Sequence, residues 1–178
     1  SSILQPEVGV ITSIGKAHLE KLINLEGVAK EKSNIFKNVL LQGTCIFPDI
    51  DAHISEFHAK SHHRKIRSFS SQGLDAKKSN SKCVEAILLS LDIENISFDQ
   101  IYNLSKDVVV PSRTEKSYNS KGVLIIDDTY NANPDSFKVA FRVLESSDKD
   151  NKICVIGDMK ELGNCLLYTS DAADDTCC

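Results

Sequence analysis

The side chains best suited to chemistry in this chain are His18, Lys32, Arg113 and the neighbouring carboxylates Asp127 and Asp128. His18 comes just after Val8-Gly9-Val10-Ile11-Thr12-Ser13-Ile14-Gly15, a short apolar, β-branched run closed by glycine. Such a run reads as a strand covered on both faces, and parallel sheets collect ligands beyond the C-terminal ends of their strands. An imidazole there can bind a metal or move a proton, although a lone histidine is often structural. Lys32 and Lys30 sit on a helical pattern, where a lysine commonly lays its stem along the surface. The guanidinium of Arg113 suits a phosphate or carboxylate, or an ion pair with Glu115. Asp127 and Asp128 end a second apolar run; carboxylates at that place hold ligands or cap loops and helices.

Several kinds of chemistry are absent from the pattern. No Gly-x-x-x-x-Gly-Lys-Ser/Thr phosphate loop occurs. The cysteines Cys45, Cys83, Cys154, Cys165, Cys177 and Cys178 form no CxxC pair and have no histidine at zinc spacing. The first three read as small buried hydrophobes. The basic run His62-His63-Arg64-Lys65-Ile66-Arg67 lacks interleaved aromatics and reads as solvated surface.

The elements that must position these residues follow from periodicity. A strand over 8–14 is followed by a helix over 25–39, with Val28, Ala29, Lys32, Ile35, Phe36 and Val39 at helical spacing. Gly43 stops it, residues 44–47 form another strand, and Pro48-Asp49 starts a short helix. Residues 66–69 are a weak strand and 70–73 a loop. A helix over 80–91 carries Cys83, Val84, Ile87, Leu88 and Leu91 on one side, and another covers 98–104. Val108-Val109-Val110-Pro111 is a linker-like stop. Beyond it, a buried strand over 122–128, a helix over 134–144 and a strand over 152–158 predict a βαβ unit with a parallel sheet.

The 178 residues are 41% hydrophobic and 26% charged, as in a soluble globular protein. The net charge of -4 points to neither nucleic acid nor an anionic membrane as partner. No apolar stretch is long enough to span a bilayer, and no export signal is visible at Ser1, so a reduced cytosol is the expected location. The chain does not begin with Met, and a true N-terminus is expected to precede it.

Three stretches together resemble the Mur ligases, which join an amino acid or dipeptide to a carboxylate through an acyl phosphate made from ATP. The first is Pro6-Glu7-Val8-Gly9-Val10-Ile11-Thr12-Ser13-Ile14-Gly15-Lys16-Ala17-His18-Leu19-Glu20, continuing into Gly27-Val28-Ala29-Lys30-Glu31-Lys32-Ser33-Asn34-Ile35-Phe36. The second is Asp127-Asp128-Thr129-Tyr130-Asn131-Ala132-Asn133-Pro134-Asp135-Ser136. The third is Val155-Ile156-Gly157-Asp158-Met159-Lys160-Glu161-Leu162-Gly163. The last two resemble the branch of the family that adds D-alanyl-D-alanine.

The resemblance implies an α/β fold: residues 1–111 as the second half of the family's central ATPase domain, then residues 112–164 as the start of its Rossmann-like C-terminal domain. It implies ATP and Mg2+ as cofactors, with UDP-N-acetylmuramoyl-tripeptide and D-alanyl-D-alanine as the full enzyme's substrates. His18 falls on the family's magnesium-ligand histidine, and Lys32 on the lysine that becomes carbamylated into an anionic metal ligand. Asn80 falls on an adenine-contacting asparagine, although Ser79 and Cys83 replace its usual neighbours. Arg113 falls on an arginine near the nucleotide, with Ser112 where a glycine is usual. Asp128 and Tyr130 match positions near ATP, and Asn131 and Asn133 positions near the incoming dipeptide. The family's phosphate loop would lie before Ser1, so the chain alone is expected to be inactive.

Two stretches depart from the family. Residues 68–79 are short for it, through natural trimming or a deletion in the reading frame. Residues 165–174 can be back-translated without mismatch as a transposon-end adapter, so residues 165–178 are expected to be artefactual tail. Other readings stay open: a diaminopimelate- or lysine-adding ligase, a folylpolyglutamate synthase, a non-catalytic nucleotide-binding module, or a misassembled frame. The Tyr130-Asn131-Ala132-Asn133-Pro134 run argues against the first two.

Overall fold

The computed structural model describes residues 4–16, 19–131 and 134–157. They fall into two compact units. The first comprises the residues up to Ile14 together with Leu25–Val108, and the second comprises Gly15–Asn24 together with the residues from Val109 onward.

The first unit is built on a parallel sheet of three strands in the order β1 (Val8–Val10), β2 (Thr44–Pro48), β3 (Lys65–Phe69). Val10 pairs with Ile46, and Ile46 in turn with Arg67. Every residue of β2 is buried, because successive side chains enter opposite layers that are both covered. Cys45 and Phe47 enter a cluster with Ala29 and Phe36 of α2 (Leu25–Lys37), Val39, Ile11, and Phe57 of α3 (Ile54–Lys60). Ile46 enters a second cluster with Phe69 and with Cys83 and Ala86 of α4 (Ala76–Ser90). The rings of Phe36, Phe47 and Phe57 stand 5.5–6.3 Å apart, tilted or edge-on. Burying one such ring contributes about 2–3 kcal/mol.

Differences from the expected elements have local causes. Lys32 and Ile35 are exposed, and Ser33 takes the inward place in the α2 stripe. Its hydroxyl is satisfied by the Lys30 carbonyl at 2.9 Å, so a small polar residue can be buried there. Pro48 ends β2 rather than opening a helix, and Asp49 N–H continues the ladder to the Phe69 carbonyl at 3.0 Å. The short helix waits until Ile54. Helix α4 starts ahead of Asn80 because Asp75 caps it, accepting from Lys78 N–H at 2.8 Å. Val84 is 41% exposed rather than on the buried side. Helix α5 (Phe98–Lys106) opens with a capping box between Ser97 and Gln100.

The basic run is exposed at His62, His63, Lys65 and Arg67, but Arg64 is half-buried. Its guanidinium donates to the carbonyls of Lys37 and Val39, both at 2.7 Å, and of His62 at 2.9 Å. It thereby satisfies carbonyls that the C-terminal end of α2 leaves without helical partners.

The second unit contains α1 (Leu19–Leu22), β4 (Glu115–Tyr118), β5 (Leu124–Asp127) and α6 (Pro134–Glu145). Strands β4 and β5 pair antiparallel, Glu115 opposite Asp127 and Tyr118 opposite Leu124. Their turn is closed by the Asn119 side chain, which accepts from the N–H groups of Lys121 at 2.9 Å and Val123 at 3.0 Å. Gly122 supplies the left-handed φ of 73°.

The expected βαβ unit is corrected here. Strand β5 is half-exposed and pairs in a local hairpin, and residues 152–157 form no strand. A hairpin closes over a few residues, whereas a parallel partner needs a neighbouring strand across a long crossover. Ile153 and Val155 are 85% and 94% exposed, and Cys154 is exposed rather than buried. Cys45 and Cys83 are buried as expected, and burial raises both thiol pKa values. The tail from 165 lies outside the described residues.

Candidate active site

At one corner of the second unit, the segment 112–115 meets the residues that leave β5. Asp127 Oδ1 accepts from Thr129 N–H at 3.0 Å and from its hydroxyl at 2.8 Å; this is an Asx-type turn. Asp127 Oδ2 accepts from the Ser112 hydroxyl at 3.2 Å. Asp128 Oδ1 accepts from Thr114 N–H at 2.8 Å and its hydroxyl at 3.3 Å. Glu115 Oε2 accepts from Ser112 N–H at 3.1 Å, and Tyr130 N–H donates to the Ser112 carbonyl at 3.0 Å.

These bonds hold a costly backbone. Ser112 and Thr114 have φ of 55° and 53°, a left-handed conformation that residues with a Cβ rarely adopt, least of all β-branched ones. The usual family glycine at Ser112 would take it freely. Between the two strained residues, the Arg113 guanidinium lies 4.2 Å from the centroid of the Tyr130 ring. Glu115 is engaged by Ser112 N–H rather than by Arg113. Arg113 and Tyr130 are both exposed, so a fixed positive charge on an aromatic face is offered to solvent. The Asp127 carboxyl is held below its ordinary pKa, chiefly by the Thr129 hydroxyl, then by Thr129 N–H; desolvation opposes them and the Ser112 hydroxyl adds to them.

Of the residues singled out from sequence, Arg113, Asp128 and Tyr130 therefore come together. Asn131 follows them and is exposed. Lys32 is exposed on α2, and its ammonium donates to the Ser13 carbonyl, beyond the end of β1, at 3.1 Å. Asn80 is exposed on α4, which covers the opposite face of the sheet from α2. His18 and Asn133 lie outside the described residues. Asp127, read from sequence as a ligand-holding or loop-capping carboxylate, caps the loop, whereas Thr129, Ser112 and Thr114 were not singled out from sequence. The Asp-x-Thr spacing was a usable signal for Thr129.

The chain is thus built of two α/β units, the second carrying the corner at which Arg113 lies on Tyr130. The family model for the Mur ligase middle domain matches residues 1–106, and that for the Mur ligase glutamate ligase domain matches residues 112–176. The chain belongs to the Mur ligase family.

Among its curated relatives is UDP-N-acetylmuramoyl-tripeptide--D-alanyl-D-alanine ligase of Haemophilus influenzae, 26% identical over 192 residues that are 92% of this chain and 42% of the relative. The ligase of the same name from Borreliella burgdorferi is 30% identical over 201 residues, covering 95% of this chain and 43% of the relative. A crystal structure of MurF from Acinetobacter baumannii superposes with a TM-score of 0.79 at 26% identity, over 94% of this chain and 43% of that one. MurF from Thermotoga maritima, solved in complex with ADP, shares the fold, with a TM-score of 0.69 at 23% identity over 91% of this chain and 44% of that one. The chain thus spans less than half the length of these relatives.

Proposed function

We propose that this chain is an internal part of an ATP-dependent ligase that adds D-alanyl-D-alanine to UDP-N-acetylmuramoyl-tripeptide. The observation that carries this reading is the meeting of Arg113, Tyr130 and Asp128 at one corner, in a chain whose curated relatives bear that ligase's name. In the complete enzyme the γ-phosphoryl group of ATP passes to the tripeptide carboxylate, giving an acyl phosphate and ADP. The dipeptide amine attacks the acyl carbon, the bond from carbon to the phosphate oxygen breaks, and phosphate leaves as the amine gives up a proton. In this reading Arg113 meets the anionic nucleotide, and Asn131 and Asn133 help hold the incoming dipeptide.

The metal reading rests on Lys32. As an ammonium it repels a cation, but a carbamate on Nζ would present hard oxygens beside the Ser13 carbonyl, the donor chemistry that magnesium takes. Carbamylated Lys32 and His18 would hold the ion, which when bound offsets charge on the transferring phosphoryl group. Asn80 contacts the adenine, and the enzyme works in the bacterial cytoplasm. The chain carries no phosphate-loop pattern, and alone it is inactive.

The test uses the complete ligase. Lys32→Ala should lower ligation by about a hundredfold or more, as the loss of a metal ligand's support does, with partial rescue by short carboxylic acids. Lys30→Ala should change it little. Equal losses in the two variants would remove Lys32 from the site. ATP-dependent ligation by this chain alone, above background, would overturn its assignment as an inactive part.

A further inference from the structure

The family resemblance puts Arg113, Asp128 and Tyr130 near the nucleotide, but the hydrogen bonds give the two carboxylates Asp127 and Asp128 different work. Asp127 spends both oxygens on its own chain: one on Thr129, next to Tyr130, and one on Ser112, next to Arg113. Beside the Tyr130 N–H bond to the Ser112 carbonyl and the bonds of Asp128 to Thr114, it joins the Arg113 and Tyr130 segments, and it is the carboxylate that places one oxygen on each. Asp128 binds the far side of the loop at Thr114 through Oδ1 alone. The loop between these ties contains two left-handed residues and would relax without them.

We propose that Asp127 is a positioning residue: by holding Ser112 and Thr129 at once, it sets the Arg113 guanidinium on the Tyr130 ring and so fixes the charge that the nucleotide meets. The last clause rests on the ligase reading above; the positioning itself does not. Asp127 touches no reacting atom in this account and acts through Arg113. Its loss leaves the arginine charged but free to sample other rotamers, so nucleotide binding weakens more than the later attack of the amine slows.

The geometric arm uses the full 178-residue chain. The ring current of Tyr130 shifts the side-chain NMR signals of Arg113, and Tyr130→Leu, which removes the ring, identifies that shift. Asp127→Ala should abolish most of it, and Asp127→Asn, which keeps one acceptor, should retain part. Ser112→Ala and Thr129→Ala leave the carboxylate in place and remove one tie each, so each should reduce the shift; they decide the matter if Asp127→Ala fails to fold. An Arg113 shift unchanged in Ser112→Ala, Thr129→Ala and every folded Asp127 variant would overturn the proposal.

The functional arm uses the complete ligase, where Asp127→Asn should raise the KM for ATP about tenfold and leave kcat and the KM for D-alanyl-D-alanine nearly unchanged. An equal fall in kcat, with the KM for ATP unmoved, would overturn the claim that Asp127 acts on nucleotide through Arg113. A wild-type enzyme with no ligase activity would sink the ligase reading while leaving the NMR result to stand or fall by itself.

Discussion

The two units of this chain are held by different forces. In the first, three phenylalanines, Ile46 and Cys45 are fully buried around a strand covered on both faces. In the second, Leu19 is the one buried hydrophobic among the described residues, α6 buries none, and the corner around Arg113 is held by carboxylates and hydroxyls. Apolar burial is non-directional and adds up over area, so it stabilises a fold. Hydrogen bonds to a charged acceptor are worth less net but are directional, so they fix an arginine's placement better than a fold's survival. The comparison suggests that the first unit is the platform and the second unit's order is local.

The largest effect that could break this comparison is a truncation in the core. Phe47→Ala should destabilise the first unit by about 3–5 kcal/mol, the usual cost of an emptied aromatic site. Phe141 of α6 is 44% exposed and stacks edge-on against Phe137 at 4.6 Å, so Phe141→Ala should cost about 1 kcal/mol or less. Urea titration followed through amide NMR signals of each unit measures both. Similar midpoint shifts would mean that the second unit has a core the burial pattern does not express.

A smaller effect comes from glycines. A Cβ on Gly43 would collide with the Glu7 carbonyl oxygen and come within 2.7 Å of Val39 Cγ1, because the chain before β2 passes directly under the residues entering β1. Gly43→Ala should therefore destabilise the first unit by about 2 kcal/mol, the scale of an overpacked core. A Cβ on Gly157 meets nothing within 4 Å, and Gly157→Ala should be near neutral. A tolerated Gly43→Ala would show that the platform yields at its sheet edge and is less rigid than its buried phenylalanines imply.

The first unit was largely legible from sequence, because a sheet buried on both faces writes itself as apolar, β-branched runs at 8–14 and 44–47 and as helical stripes between them, although the first strand stops at Val10. What was misplaced there were ends, set by Asp75 and by the register of Pro48 with Phe69 rather than by hydrophobic pattern, and the inward places given to Lys32, Ile35 and Val84, which are exposed. The second unit misled for a physical reason. Its apolar runs at 123–126 and 153–156 carry the signal of covered strands, yet Val123, Ile125, Ile153 and Val155 are exposed. Apolar pattern reports what a segment can bury, not what is there to bury it. Strand β4, Glu-Lys-Ser-Tyr, has no apolar signal and is defined by pairing alone. At the candidate site, Arg113, Asp128 and Tyr130 were legible as types, but the latch that joins them depends on two left-handed residues, which side-chain spacing does not encode.

The smallest expected effect separates the two units by acid. Arg64 in the first unit ties helix carbonyls through a guanidinium that does not titrate. Asp127 in the second ties hydroxyls and an N–H through a carboxylate whose pKa is lowered by those same donors. A group with a lowered folded pKa contributes order that is complete above its unfolded value and is lost as pH falls through the folded one. The Arg113 ring-current shift should therefore hold constant from neutral pH down through the ordinary carboxylate range and decay only below it. The Arg64 side-chain signals should not move in the same interval, since nothing in their ties gains or loses a proton. An Arg113 shift that decays already at or above the ordinary carboxylate range would show that the donors at Thr129 and Ser112 are not holding the charged form. The contrast between a titratable latch and a fixed one would then disappear.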